Sequence, residues 1–256
     1  MKATVCELSN EPDRFEEDWR ALAGHVHEQG SDLVLLPELP FHPWFAWTRP
    51  QDPAVWRAVV AAHQAWEARL DELGARYILV TRAVERDGER HNEGYLWEAG
   101  VGTRPAHVKY YLPEDEGFWE SSWYQRGDGR FEPVQAGLLS IGFLICTEIW
   151  FLHHAREYGK QGVHLIVCPR ATGKPTTQKW LVAGRAAAVV SGAYCLSSNR
   201  ISAEGSPADL GGLGWIVDPD GEVLALTSSQ DPFVTCEIDL SRADHAKSTY
   251  PRYVED

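Results

Sequence analysis

The chain has 256 residues, of which 44% are hydrophobic and 24% are charged, and its net charge is −13 with the histidines neutral. This is the composition of a globular protein of one large domain or two small ones, and the negative charge disfavours a nucleic-acid partner because it repels phosphate backbones. No apolar run reaches the ~20 residues that span a bilayer, and the N-terminus lacks the apolar stretch of a signal peptide, so we expect a cytoplasmic protein.

Apolar strand-like runs alternate with longer amphipathic segments along the chain. The run "DLVLLP" is almost continuously apolar, which is typical of a strand covered on both faces. The alternation predicts an α/β fold in which helices pack on sheets, in a single domain over residues 1–256. In chain order we predict a strand over 2–8, a helix over 12–30, a strand over 31–37, a helix over 53–74, strands over 76–85, 93–100 and 137–146, a helix over 153–162, a strand over 163–169, a helix over 177–192, a strand over 193–199, a hairpin over 211–227 and a strand over 232–240.

The five cysteines do not form a disulfide or metal pattern. Their number is odd, their spacing is wide and no CxxC occurs. Four of them lie in strand-like text and are expected to be buried, inert thiols. Cys146 differs in its neighbours, because it ends the apolar run "GLLSIGFLIC" and is followed by Thr147 and Glu148.

Three reactive side chains stand at or just beyond predicted strand ends, where open α/β sheets bind ligands. They are Glu38 after "DLVLLP", Lys109 in "PAHVKYYLP", and Cys146. A thiol becomes a nucleophile when a base takes its proton, and a buried carboxylate can be that base. An ammonium can stabilise the oxyanion that follows attack on a carbonyl. The backbone N–H of Thr147, after the nucleophile, is a second candidate donor.

The blocks "LLPELP", "VKYYLPEDEGFWE" and "GFLICTEIW" resemble, in order and spacing, the signature blocks of the nitrilase superfamily of carbon–nitrogen hydrolases. The resemblance implies an α-β-β-α sandwich, usually paired across a dimer interface. It also implies a second glutamate in the block after the lysine. We place it at Glu120, since "GFWESSW" is similar to the family text, and interpret Glu114 and Glu116 as loop carboxylates.

The resemblance implies a mechanism without metal or organic cofactor. Glu38 accepts the proton of Cys146, Lys109 and the Thr147 N–H hold the oxyanion, and a thioester forms that water then hydrolyses. Glu120 orients Lys109 and the substrate amine. The expected partners are a small-molecule substrate and a second copy of the chain in a homodimer or larger homo-oligomer, with residues 241–256 as a possible arm onto the partner.

Departures from the family text bear on the substrate. Members that cleave nitriles usually carry Trp after the cysteine, so Thr147 favours an amide or an N-carbamoyl compound. The D-amino-acid carbamoylases carry two arginines shortly after the cysteine, where this chain has Ile149 and Trp150. Arg170 either binds an acidic or carbonyl group instead or forms a structural salt bridge. Among the aromatic residues of the motif loops, Trp119 and Trp150 are candidate pocket residues.

Three alternatives stay open. The adjacent His153 and His154 suggest a Cys–His dyad, although their spacing from Cys146 is arbitrary and adjacent helical residues point about 100° apart. The second alternative is a nitrilase. The third is a binding scaffold with an inactive site.

Overall fold

A computed structural model of the chain describes residues 1–49 and 52–255. Residues 50, 51 and 256, which fall within the predicted 1–256 domain and 241–256 arm, lie outside the described residues. The strands are β1 (Lys2–Ser9), β2 (Leu33–Leu35), β3 (Tyr77–Arg86), β4 (Glu89–Glu98), β5 (Gly102–Val108), β6 (Val134–Ala136), β7 (Leu139–Phe143), β8 (Leu165–Arg170), β9 (Tyr194–Ile201), β10 (Trp215–Val217), β11 (Val223–Leu226) and β12 (Phe233–Glu237). The helices are α1 (Pro12–Gln29), α2 (Pro53–Glu67), α3 (Glu120–Trp123), α4 (Leu152–Lys160), α5 (Thr177–Ser191) and α6 (Leu240–Ala246).

The first helix forms where the sequence predicts it. Its buried residues, Phe15, Trp19, Leu22 and Val26, recur at three- and four-residue intervals and so lie on one face. Gly30 ends the helix at φ 60°, a left-handed conformation that glycine adopts without a Cβ penalty, and its N–H donates to the last-turn carbonyls. The helix predicted over 12–30 is confirmed as Pro12–Gln29, and Gly30 ends it.

One strand joins the two sheets of the molecule. The first half of β1 pairs in parallel with β2, and its second half pairs in parallel with β9. The strand order is therefore β5-β4-β3-β2-β1 on one side and β1-β9-β8-β7-β6 on the other. Strand β12 pairs antiparallel with β1, and the predicted hairpin is confirmed as β10 and β11 on the edge of β9.

The sheets pack face to face and a helical layer covers each outer face. The central core includes Leu79 and Leu96 from the first sheet and Ile141 and Val167 from the second. Helix α1 packs on the outer face of the first sheet, and helices α4 and α5 pack on the outer face of the second. This is the four-layer α-β-β-α sandwich that the resemblance implies. It brings the strand ends of both sheets to a common seam.

Several predicted elements end earlier than expected, among them the second helix and the strand before Cys146. The helix predicted over 53–74 stops at Glu67, because the chain turns into a separate 3₁₀ segment, Leu70–Leu73, which Gly74 ends. The strand predicted over 137–146 stops at Phe143, where pairing with β8 ends, and a 3₁₀ helix begins at Cys146.

In the predicted arm, the Arg252 carbonyl accepts a hydrogen bond at 3.0 Å from Arg156 of the same chain. No helix among the described residues has the length and apolar character needed to cross a membrane.

Candidate active site

Glu38 lies three residues beyond β2, in a segment that hydrogen bonds to both sheets. The Leu36 N–H donates to the Leu79 carbonyl at 2.9 Å in the first sheet, and the Glu38 N–H donates to the Arg170 carbonyl at 3.2 Å in the second. The Glu38 side chain is fully buried. The seam between the two sheets therefore fixes the position of this carboxylate.

Lys109 follows β5 and is also fixed through its backbone. Its N–H donates to the Asn92 carbonyl, and its carbonyl accepts from the Gly127 N–H, both at 2.9 Å. A Cβ on Gly127 would lie 2.4 Å from the Val108 carbonyl oxygen, so only glycine lets this segment cross so closely. These contacts fix the backbone of Lys109, and its side chain extends into the buried interior.

The Lys109 ammonium lies between two carboxylates. Its Nζ is 2.7 Å from Glu38 Oε1 and 2.6 Å from Glu120 Oε2. Asn92 Nδ2 donates to the same Glu38 oxygen at 2.8 Å, and the Tyr124 hydroxyl donates to the same Glu120 oxygen. All five side chains are at least 99% buried. The structure thus brings Glu38 together with Lys109 and Glu120, although Glu38 and Lys109 are 71 positions apart in the sequence.

Each of the two carboxylates keeps one buried oxygen without a hydrogen-bond partner among the described residues. These are Glu38 Oε2 and Glu120 Oε1. Leaving a buried polar atom unpaired costs free energy, so such atoms require an explanation. Both belong to the cluster around Lys109, which leaves each carboxylate one oxygen able to accept a proton or an N–H.

Cys146 begins the 3₁₀ helix Cys146–Trp150 with a φ of 50°. This left-handed conformation is uncommon for a residue with a Cβ, and a similar strained turn presents the nucleophile in α/β-hydrolases. The side chain is only 3% exposed, yet it lines a cavity of about 330 Å³ together with Glu120. The other lining residues are Pro113, Asp115, Phe118, Thr147, Trp150, Ala171, Thr172, Gly173, Thr176, Lys179 and Trp180.

The pKa values of the cluster reflect its burial and its charges. Burial alone would lower the pKa of Lys109, but Glu120 and Glu38 raise it well above its ordinary value. Burial raises the pKa of the Cys146 thiol, the Glu38 carboxylate raises it further, and Lys109 opposes both. Burial raises the pKa of Glu120 to about 7, against the attraction of Lys109 and with the support of Glu38. These directions correspond to a charged Lys109 and a neutral Cys146 thiol.

Replacing Glu120 with glutamine is expected to remove a pH dependence of stability. Because the folded-state pKa is about 7 and the ordinary value is 4.5, the folded state keeps a proton that the unfolded state loses in this window. The stabilisation from this group is therefore complete below pH 4.5 and is lost as the pH rises towards 7. The difference in unfolding free energy between wild type and E120Q should fall by up to about 1.4 kcal/mol per pH unit. Urea melts across the window measure it, and a constant difference would contradict the raised pKa.

Of the four predicted substrate-binding residues, two line the cavity and two lie outside its described lining. Thr147 and Trp150 line the cavity, and the Trp150 ring lies 5.2 Å from the ring of Trp180 on the same wall. Trp119 lies outside the described lining, and the guanidinium of Arg49 stacks over its ring at 3.8 Å. Trp180 was not among the predicted pocket residues, because it lies in α5, outside the three signature blocks.

Arg170 also lies outside the described cavity lining. Its side chain is fully buried, and its nitrogens donate to Ser197 Oγ at 2.7 Å, Thr172 Oγ1 at 2.8 Å and the Leu213 carbonyl at 2.5 Å. The guanidinium stacks on Trp215 at 4.0 Å. Burial lowers its pKa to about 10. The side chain is positioned for a structural role, and the bonds are to hydroxyls and a carbonyl instead of the predicted salt bridge.

The rings of His153 and His154 pack against aromatic residues outside the described cavity lining. The His154 ring stacks on Phe131 at 3.5 Å, and its Nε2 lies 3.0 Å from the Tyr111 hydroxyl. Burial lowers the pKa of His154 to about 4, helped by the neighbouring His153. Neither ring is part of the described cavity lining, so this geometry gives no support to a dyad with Cys146.

The described residues contain no group of three or more His, Cys, Asp or Glu side chains placed to hold a metal ion. At the cluster itself, the Lys109 ammonium occupies the position between Glu38 and Glu120.

Sequence reasoning missed two members of the cluster, Asn92 and Tyr124. Asn92 lies in "HNEGYLWEAG", outside the three signature blocks, and its local sequence does not show that its amide reaches Glu38. Tyr124 lies one helical turn after Glu120, at a spacing that allows contact.

Comparisons with known proteins agree with this architecture. A family model for carbon–nitrogen hydrolases matches residues 2–248. An N-carbamoylputrescine amidase from Arabidopsis thaliana is 25% identical over 223 residues, which cover 80% of this chain and 74% of that protein. A chloroplastic omega-amidase from the same plant is 27% identical, covering 96% of this chain and 70% of that protein. The crystal structure of a carbon–nitrogen hydrolase from Helicobacter pylori G27 has a TM-score of 0.83 at 23% identity, covering 99% of this chain and 94% of that chain.

Proposed function

The chain belongs to the carbon–nitrogen hydrolase family of the nitrilase superfamily, and from this premise we propose that it hydrolyses a small linear amide or N-carbamoyl compound through a thioester on Cys146. The observation that carries the proposal is the buried Lys109 ammonium held between Glu38 and Glu120, at 2.7 and 2.6 Å, beside the cavity that Cys146 lines. The matched amidase and N-carbamoylputrescine amidase support the substrate class.

Attack requires that the thiol lose its proton as the new bond forms. Because the pKa of Cys146 is raised by burial and by Glu38, little thiolate exists beforehand. Glu38 keeps its Oε2 unpartnered and is the group that accepts this proton. The sulfur then bonds to the carbonyl carbon, and the carbonyl oxygen becomes an oxyanion that Lys109 and the Thr147 N–H stabilise.

Collapse of the tetrahedral intermediate breaks the carbon–nitrogen bond. Glu38 returns its proton to the leaving nitrogen, which departs as ammonia or an amine and leaves an acyl group on Cys146. Glu38 then takes a proton from water as the hydroxyl oxygen bonds to the acyl carbon. The carbon–sulfur bond breaks, the acid leaves, and Glu38 returns the proton to the sulfur, which restores the thiol. Glu120 keeps Lys109 in place through Oε2 and offers Oε1 to an N–H of the substrate.

A substrate panel tests the proposal. An amide, an N-carbamoyl amine and a nitrile with the same small carbon skeleton are incubated with the purified chain, and ammonia and acid are measured. We expect turnover of the amide or the carbamoyl compound and none of the nitrile. Consumption of the nitrile as the preferred compound would favour the nitrilase alternative. No turnover of any compound, with a folded protein, would favour the scaffold alternative.

Self-association and a cytoplasmic location stay predictions. The segment after α6 exposes Tyr250, Tyr253 and Val254 at 75%, 62% and 46%, which is consistent with a role as an arm onto a second copy. Sedimentation velocity decides the first point, because a single species at the 28.7 kDa of one chain would contradict it.

A further inference from the structure

Glu148 is a fully buried carboxylate in the turn that carries the nucleophile, and the chemistry above gives it no role. Its two oxygens accept backbone N–H groups from different segments. Oε2 accepts from the Ile145 N–H at 2.8 Å, directly before Cys146. Oε1 accepts from the Tyr110 N–H at 2.7 Å, directly after Lys109. One carboxylate therefore links the backbone at the proposed nucleophile to the backbone at the proposed oxyanion donor.

His107 completes this link from the other side of Lys109. Its Nε2 lies 3.0 and 2.9 Å from the two Glu148 oxygens, and its Nδ1 lies 3.1 Å from the Arg130 carbonyl. Both ring nitrogens face acceptors, which is the arrangement that suits an imidazolium, in which both nitrogens donate. The ring is 5% exposed and forms a buried ion pair with the carboxylate.

We propose that Glu148 and His107 are positioning residues that set the distance between the Lys109 ammonium and the Cys146 thiol. We call this contact set, of Glu148 with His107, the Tyr110 N–H and the Ile145 N–H, the Glu148 bridge. The inference rests on the proposed function, since it assigns the bridge to that reaction.

The geometry explains why a glutamate stands here. Each oxygen serves one backbone segment, so both must be acceptors. Glutamine keeps one acceptor oxygen and places an NH₂ group, which cannot accept, against the other N–H. E148Q therefore keeps the side-chain size and releases one of the two segments. Cys146, at φ 50°, directly follows the residue that Oε2 holds, so the strained turn depends on this contact.

The test compares kcat and KM for E148Q with those of a matched control. The control is D218N, because Asp218 is also a buried carboxylate, which accepts the Asp220 and Glu222 N–H groups at Oδ1 and pairs with Arg242 through Oδ2, in a turn outside the cavity lining. We expect E148Q to lower kcat about 10²-fold with KM changed less than about threefold, since a displacement of about 1 Å at the reacting groups has that effect. D218N should lower the melting temperature and leave kcat unchanged. A wild-type kcat in E148Q, or an equal loss in D218N, would overturn the proposal.

Variants at His107 keep the test decisive if E148Q does not fold. H107L removes the donor to the carboxylate, whereas H107Q retains an N–H₂ donor. We expect kcat to be about tenfold lower in H107L than in wild type and close to the wild-type value in H107Q. This is the pattern of a residue whose hydrogen bond positions the reacting groups. Equal kcat values in H107L and wild type would contradict the proposal.

A substrate-free readout separates this inference from the proposed function. Labelling of Cys146 by iodoacetamide should be about tenfold slower in E148Q than in wild type, because the thiol moves away from its base. If the wild-type chain hydrolyses no amide or carbamoyl compound, the proposed function fails and the labelling rates still judge the bridge. Equal or faster labelling in E148Q overturns the bridge, whatever the wild-type turnover.

Discussion

Replacing Cys146 with alanine is expected to lower kcat by about 10⁴-fold or more, as loss of a nucleophile does in acyl-transfer enzymes. The substitution removes only the sulfur from a side chain that is 3% exposed, so the fold should survive. With no sulfur, the thioester cannot form, and the remaining residues can only orient a water molecule. Ammonia release from the best substrate of the panel measures the loss, and a thermal melt confirms that the variant is folded.

The matched control is C195A. Cys195 is a fully buried thiol in β9 whose pKa burial raises to about 12, and it lies outside the described cavity lining. The C195A variant should keep the wild-type kcat. Its folding stability should fall slightly. If C146A retained more than about a hundredth of the activity, a thioester on this residue would be excluded as the main route. Iodoacetamide should label Cys146 much faster than the other four thiols if the chain is an enzyme. Equal, slow labelling of all five thiols would favour a scaffold.

Replacing Lys109 with methionine is expected to affect both activity and stability strongly. Methionine fills a similar volume but leaves Glu38 and Glu120 buried without the cation they share. Removing one partner of a buried ion pair costs about 3–5 kcal/mol of folding free energy. Loss of the oxyanion donor should lower kcat about 10²- to 10³-fold even in the folded fraction. Urea melts and single-substrate kinetics measure the two effects separately.

A double variant serves as the control for this prediction. Adding E120Q to K109M removes one of the two uncompensated carboxylates, so it should restore part of the stability and none of the activity. No other lysine among the described residues is fully buried, so a matched lysine control is not available. The double variant therefore serves as the comparison. If K109M were as stable as wild type, the cluster would not be the coupled buried charge set described above.

The alternation of apolar patterns predicted the main helices and strands, because the residues that define each pattern are close in sequence. The pattern of α1 and its glycine end are local properties of residues 12–30, and the structure confirms them. The ends of two longer elements differ from the prediction. Helix α2 stops at Glu67 and β7 stops at Phe143, since local periodicity does not show where strand pairing ends or where a turn tightens.

The sequence by itself determined the α/β class and the chemical types of the candidate site. The motif blocks placed a carboxylate, an ammonium and a thiol after strand ends, at Glu38, Lys109 and Cys146. Only the tertiary structure decided which groups touch. The Asn92 amide on Glu38, the Glu148 bridge and the burial of Arg170 away from the cavity all depend on contacts between distant segments. Strand pairing through β1 and the packing of the two sheets set those contacts, and neither is a property of neighbouring residues in the chain.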